Sequence, residues 1–70
     1  MNSVYNVIEL IGTSGESWEA AAEVAVAEAS KTLRDLRVAE VLEQDVLIED
    51  GAIIAYRVKL RLSFKHEDDG

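Results

Sequence analysis

Three carboxylates, Glu40, Glu43 and Asp45, stand inside the aliphatic run LRVAEVLEQD at residues 36 to 45, and a fourth, Glu16, closes the turn Thr13-Ser14-Gly15-Glu16. Oxygen ligands with no histidine or cysteine beside them suit a hard cation such as calcium or magnesium. A cluster of like charges is costly without a counter-ion. A lysine or arginine of this chain or of a neighbouring subunit would serve as well, with Glu16 spent on a helix cap, and both readings stand at this point. A basic stripe, Arg57, Lys59, Arg61 and Lys65, offers the opposite chemistry: attraction of an anion such as a phosphorylated cofactor, or ion pairs with acids such as Glu40. Catalysis finds no support. No nucleophile stands beside a base, the single histidine, His66, lies in the tail, and there is neither a glycine-rich phosphate loop nor a D-x-D-x-D-G calcium loop. The chain is expected to bind rather than to catalyse.

The elements that must position these residues follow from periodicity. VYNVIELI at 4 to 11 is rich in β-branched residues and ends at Gly12, which predicts a first strand. Thr13-x-x-Glu16 has the form of a capping box, and Trp18, Ala22, Ala25, Ala29, Leu33 and Leu36 recur at spacings of three and four, predicting a helix from Ser17 to about Leu36. Residues 37 to 48 read as a second strand, Asp50-Gly51 as a hairpin turn, and 53 to 65 as a third strand. In the third, Ile54, Tyr56, Val58, Leu60, Leu62 and Phe64 face one way, and Ala55, Arg57, Lys59, Arg61, Ser63 and Lys65 the other. The expected fold is α+β: a β-α-β-β protomer whose three-stranded antiparallel sheet packs on one helix, with strand one able to pair with strand three.

A two-residue turn at Asp50-Gly51 would set Glu40 opposite Arg61 and Gln44 opposite Arg57, on one face with Val38, Leu42 and Val46. Glu43 and Asp45 would then fall on the apolar, helix-side face, with Tyr56 beside Asp45. Asp45 lies about 26 Å from Arg37 along a strand, and Glu16 about 27 Å from Arg34 along a helix. Glu16, Glu43 and Asp45 are therefore expected to reach one end of the protomer as candidate metal ligands.

Seventy residues with a formal charge of -7, 49% apolar and 30% charged side chains, no cysteine and no proline describe one globular domain, residues 1 to 65, with an acidic tail at 66 to 70. A chain this short buries only roughly 60% of its unfolded surface. Without disulfides, oligomerisation is the available way to bury more. The negative charge argues against nucleic acid, and no apolar run approaches the ~20 residues needed to span a membrane. No secretory signal is visible, so the expected compartment is the cytoplasm.

The segments E-L-I-G-T-S-x-E-S-W at 9 to 18, A-S-K-T-L at 29 to 33, A-E-V at 39 to 41 and Y-R-V-K-L-R-L-S-F at 56 to 64 resemble the dodecin family over nearly the full chain. The resemblance implies a hollow, roughly spherical homododecamer of cubic 23 symmetry, and many dodecins bind flavins. In the flavin-binding pattern a strand-two tryptophan stacks on the isoalloxazine and a strand-three glutamine bonds the ring edge. Those positions here hold Val38 and Arg57. Valine has no π-face, so flavin is not the expected ligand. S-W-E at 17 to 19, R-V-A at 37 to 39, E-Q-D at 43 to 45 and Y-R-x-K-x-x-x-S-F-K at 56 to 65 are similar to the calcium-dodecin branch. The expectation is a shell that stores a small ligand or ion, with calcium or another divalent cation first. Flavin or phosphorylated-cofactor storage in a pocket lined by Val38, Gln44 and Arg57, or a shell without a specific ligand, are the alternatives.

Overall fold

The computed structural model describes residues 2 to 65 in four elements: β1 (Tyr5–Ser14), α1 (Trp18–Ser30), β2 (Leu36–Glu49) and β3 (Ala52–Lys65). The acidic tail and His66 lie outside the described residues. Asp50 and Gly51 connect β2 to β3 with φ of 51° and 78°. Two successive left-handed residues match the twist of a two-residue hairpin, which is the reason Asp-Gly signals one. Because β1 also runs antiparallel to β3, the sheet order is β1-β3-β2 with the hydrophobic third strand central, as the periodicity predicted.

Two boundaries differ from the sequence expectation. β1 does not stop at Gly12 but stays paired with β3 through Ser14, opposite Tyr56. Thr13 is thereby held extended, and the Thr13-Glu16 capping box does not form. Ser17 caps the helix instead, its Oγ accepting the Ala20 N–H at 3.0 Å, while Ser14 Oγ accepts the Glu16 N–H at 3.0 Å. The helix ends at Ser30 rather than near Leu36. Asp35, with φ of 57°, turns the chain so that Leu36 can pair with Phe64, and the ladder takes the residues the helix would have used. Leu33 and Leu36 still pack on the core, which is why their spacing looked helical.

The core lies between α1 and the middle of β3. Val58, Leu60 and Leu62 are each 1% exposed and meet Ala21, Ala25 and Ala29, with Ile8 and Leu10 of β1 alongside. The alanines let the helix approach closely: a Cβ on Gly12 would stand 2.0 Å from the Ala21 carbonyl oxygen. Among the described residues only three large side chains are fully buried, each contributing about 1.5–3 kcal/mol. The radius of gyration is 14.6 Å, against about 11 Å for a compact chain of this length. Outside the helix contact, Val38, Val41, Ile48, Ile53 and Ile54 are more than half exposed, so the protomer has apolar surface that it does not cover itself.

Candidate functional site

Packing of Val58, Leu60 and Leu62 against the helix turns Arg57, Lys59 and Arg61 outward, because side chains alternate along a strand. They form the central row of the sheet's open face. β1 supplies Glu9, opposite Arg61. β2 supplies Glu40 opposite Arg61, Glu43 opposite Lys59 and Asp45 opposite Arg57. Acids on both outer strands thus flank bases on the inner one.

The contacts differ in kind. Arg57 donates from Nε and Nη2 to the two carboxylate oxygens of Asp45, each at 2.7 Å, a bidentate fork. Those hydrogen bonds lower the Asp45 pKa below its ordinary value and raise that of Arg57. Arg61 reaches Glu9 at 3.2 Å and Glu40 at 3.5 Å, and Lys59 reaches Glu9 at 3.6 Å and Glu43 at 3.7 Å. All of these side chains are at least one-third exposed, so water and salt screen them. Ile11, Glu43, Asp45, Arg57 and Lys59 line a shallow depression here.

A register shift explains why the expected faces are partly wrong. Glu40 does pair with Arg61, as the two-residue turn requires. Ile54 on β3 and Leu42 on β2 are each passed over in the ladder, however, and between them the pairing slips by one. Asp45, not Gln44, therefore faces Arg57, and Glu43 and Asp45 point away from the helix rather than toward Glu16. Val46 pairs with Tyr56 on the helix side, not with the basic stripe. Glu16 is exposed, and among the described residues no three acidic or histidine side chains gather to hold a metal ion. Within one protomer, then, the set Glu16, Glu43 and Asp45 is not brought together.

The second expected set is also dispersed. Val38, 59% exposed, lies opposite Ser63 beside Leu36, Arg37, Ala39 and Leu62. Gln44 pairs with Val58 on the helix side, in a depression with Trp18, Glu19, Ala22 and Val41. Arg57 is on the opposite face with Asp45. Arg57, Gln44 and Val38 each line a different depression. The expected meeting of Asp45 with the helix start does occur through the backbone: Trp18 Nε1 donates to the Asp45 carbonyl at 3.1 Å, and the indole meets Tyr56 edge-on at 5.2 Å. Glu9, which the sequence reads only as a surface or interface residue, is a charged member of this face that the expected site sets leave out. Its placement depends on the β1–β3 register, which no tight turn dictates.

Residues 4–67 match the family model described as Dodecin. The chain belongs to the dodecin family. It is 52% identical over 63 residues to the calcium dodecin of Mycobacterium tuberculosis, covering 90% of this chain and 89% of that one. A crystal structure of that bacterium's calcium dodecin, described as calcium chelating with a novel calcium-binding site, superposes with a TM-score of 0.82 at 49% identity and 97% coverage of both chains. The dodecin of Streptomyces coelicolor superposes with a TM-score of 0.92 at 40% identity, again covering 97% of each. These matches support the calcium-dodecin-like branch in sequence, and the β-α-β-β architecture is that of the dodecin structures. Identity and backbone overlap rank the two relatives differently, so ligand choice must be argued from side chains.

Proposed function

We propose that this dodecin is a binding protein, not an enzyme, which sequesters a divalent cation, calcium foremost and magnesium by the same oxygen preference, within a homododecameric shell. The observation that carries the reading is the identity to a calcium dodecin over nine-tenths of the chain, together with Glu9, Glu40, Glu43 and Asp45 exposed on one face. Carboxylate oxygens match a hard cation in chemistry. The protomer alone does not fit a closed site, because the acids are neutralised by β3 and do not gather in threes. Glu43 and Asp45 are the ligands we assign to the open face, and Glu16, whose carboxylate has no partner among the described residues, completes a site only from a neighbouring subunit. Binding is then equilibrium storage coupled to assembly, since a ligand shared between subunits stabilises the assembled state by mass action.

Assembly is supported by the extended shape and by the apolar residues left uncovered at the hairpin end. No nucleic-acid or membrane partner is proposed; the net charge is -7, and among the described residues no helix is long and apolar enough to cross a membrane. Flavin storage is the competing reading, with Val38, Gln44 and Arg57 as its residues. It has no aromatic platform at Val38, and the one aromatic pair among the described residues, Trp18 and Tyr56, stands at the other end of the sheet. Calcium titration of the wild type and of Glu43→Gln with Asp45→Asn tests the proposal. Loss of calcium binding in the double variant is expected; unchanged stoichiometry and affinity would remove this site.

A further inference from the structure

The two ends of the sheet are left incomplete in opposite ways. β1 ends opposite Tyr56, so beyond it Leu47, Ile48 and Glu49 pair only with Ala55, Ile53 and Ala52. A two-stranded hairpin is marginal in water by itself. Ile48, Ile53 and Ile54 are nevertheless more than half exposed, and none of them belongs to the core. About 36 Å away, eleven residues back along β2 at about 3.3 Å each, Val26, Leu36, Val38, Ala39 and Leu62 line an apolar depression with Arg37 at its side. The charges divide in the same way. Glu49 and Asp50 at the hairpin tip make no ion pair among the described residues, and neither do Arg34 and Lys65 at the other end, where Arg37 reaches only Asp35, at 4.0 Å. An acidic, apolar tip and a basic, apolar depression are complementary, and the paired sheet between them keeps one chain from joining its own two ends.

We propose that the hairpin tip of one copy docks in the Val38 depression of a second copy, with Ile48 and Ile53 against Leu36 and Val38 and with Glu49 facing Arg37. This rests on the shell reading and goes beyond it by naming two surfaces that meet. Charge selects the partner. Copies of a chain with a formal charge of -7 repel one another unless acids of one meet bases of the next. Arg34, Arg37 and Lys65 are the bases free to do this, since Lys31, Arg57, Lys59 and Arg61 each lie within 3.6 Å of an acid of their own protomer. Apolar side chains at the centre with charge at the rim are the ordinary build of a protein interface. Because the two surfaces are different patches, each copy offers one end and receives at the other. A chain segment seated on Val38 also closes that position to a planar cofactor.

Charge reversal tests the contact in the full chain, with assembly followed by native mass across concentration for wild type, Arg37→Glu, Glu49→Arg and the two combined. Each reversal sets like charges together at every copy of the contact and is expected to raise the concentration needed for half-assembly about tenfold. The combination restores opposite charges and should return to within about threefold of wild type. If neither single variant assembles, recovery in the combination decides alone. Either reversal assembling like wild type, or a combination no better than the singles, would overturn the contact while leaving a twelve-chain shell in place; a monomeric wild type would end both readings. The acidic tail is the rival occupant of the basic end. An effect of Arg37→Glu that persists when Glu67→Gln, Asp68→Asn and Asp69→Asn are introduced supports the second copy, whereas an effect that disappears with them assigns Arg37 to the tail and overturns the proposal.

Discussion

The two faces of β3 are built from alternate residues of one strand and obey different physics. Val58, Leu60 and Leu62 are sealed against three alanines, and their contribution is area removed from water. Arg57, Lys59 and Arg61, one position over, are wet, and each holds at least one acid from an adjoining strand. The first face carries the stability of the protomer. The second contributes register and a surface of exchangeable charge, since exposed pairs contribute little net energy and yield to salt and to competing ions. Folding and ligand binding can therefore be altered independently in this small protein.

The most severe break is Leu60→Ala, which leaves a cavity in the core that Leu60 forms with Val58 and Leu62. A loss of about 2–5 kcal/mol is expected in denaturant unfolding, enough to unfold a protomer of this size. Gly12→Ala comes next. Its new Cβ meets the Ala21 carbonyl oxygen, a backbone atom that cannot turn aside, so the helix must back away from β1 at a cost of about 1–3 kcal/mol. Arg61→Gln acts on the other face, releasing Glu40 and leaving Glu9 to Lys59 alone. It should cost no more than about 1 kcal/mol, and the difference from wild type should shrink in 1 M salt.

The smallest effect is in acid. Arg57 lowers the Asp45 pKa from its ordinary 3.8, so the folded state holds this carboxylate ionised more strongly than the unfolded chain does. The contribution is present above the unfolded pKa and is lost as pH falls through the depressed folded value. Asp45→Asn should therefore flatten the fall in stability below about pH 4 and leave the alkaline side unchanged, as read from thermal unfolding across pH.

Much of this division was legible in the residues. Asp50-Gly51 announced the hairpin, the alternation of β3 announced both of its faces, and Glu40 was matched to Arg61 by counting from the turn. Counting failed at Ile54 and recovered at Leu42, because Ile53 and Ile54 are both aliphatic, as are Val41 and Leu42, so alternation does not reveal which residue of each pair the ladder skips. Glu43, Gln44 and Asp45 changed faces as a result, and the expected ligand sets with them. The helix end was misread for a related reason: Leu33 and Leu36 pack on the core from irregular chain, at a spacing that imitates a helix. Glu9 required the pairing of strands separated by a helix, where register is a tertiary property.

Native mass spectrometry with metal and cofactor analysis bears most directly on the central claim, because it reports subunit number and bound species from one sample. The account predicts twelve chains that retain added calcium, release it when Glu43→Gln and Asp45→Asn are combined, and carry no flavin. A monomer at micromolar concentration, or twelve chains that retain flavin and no calcium, would contradict it.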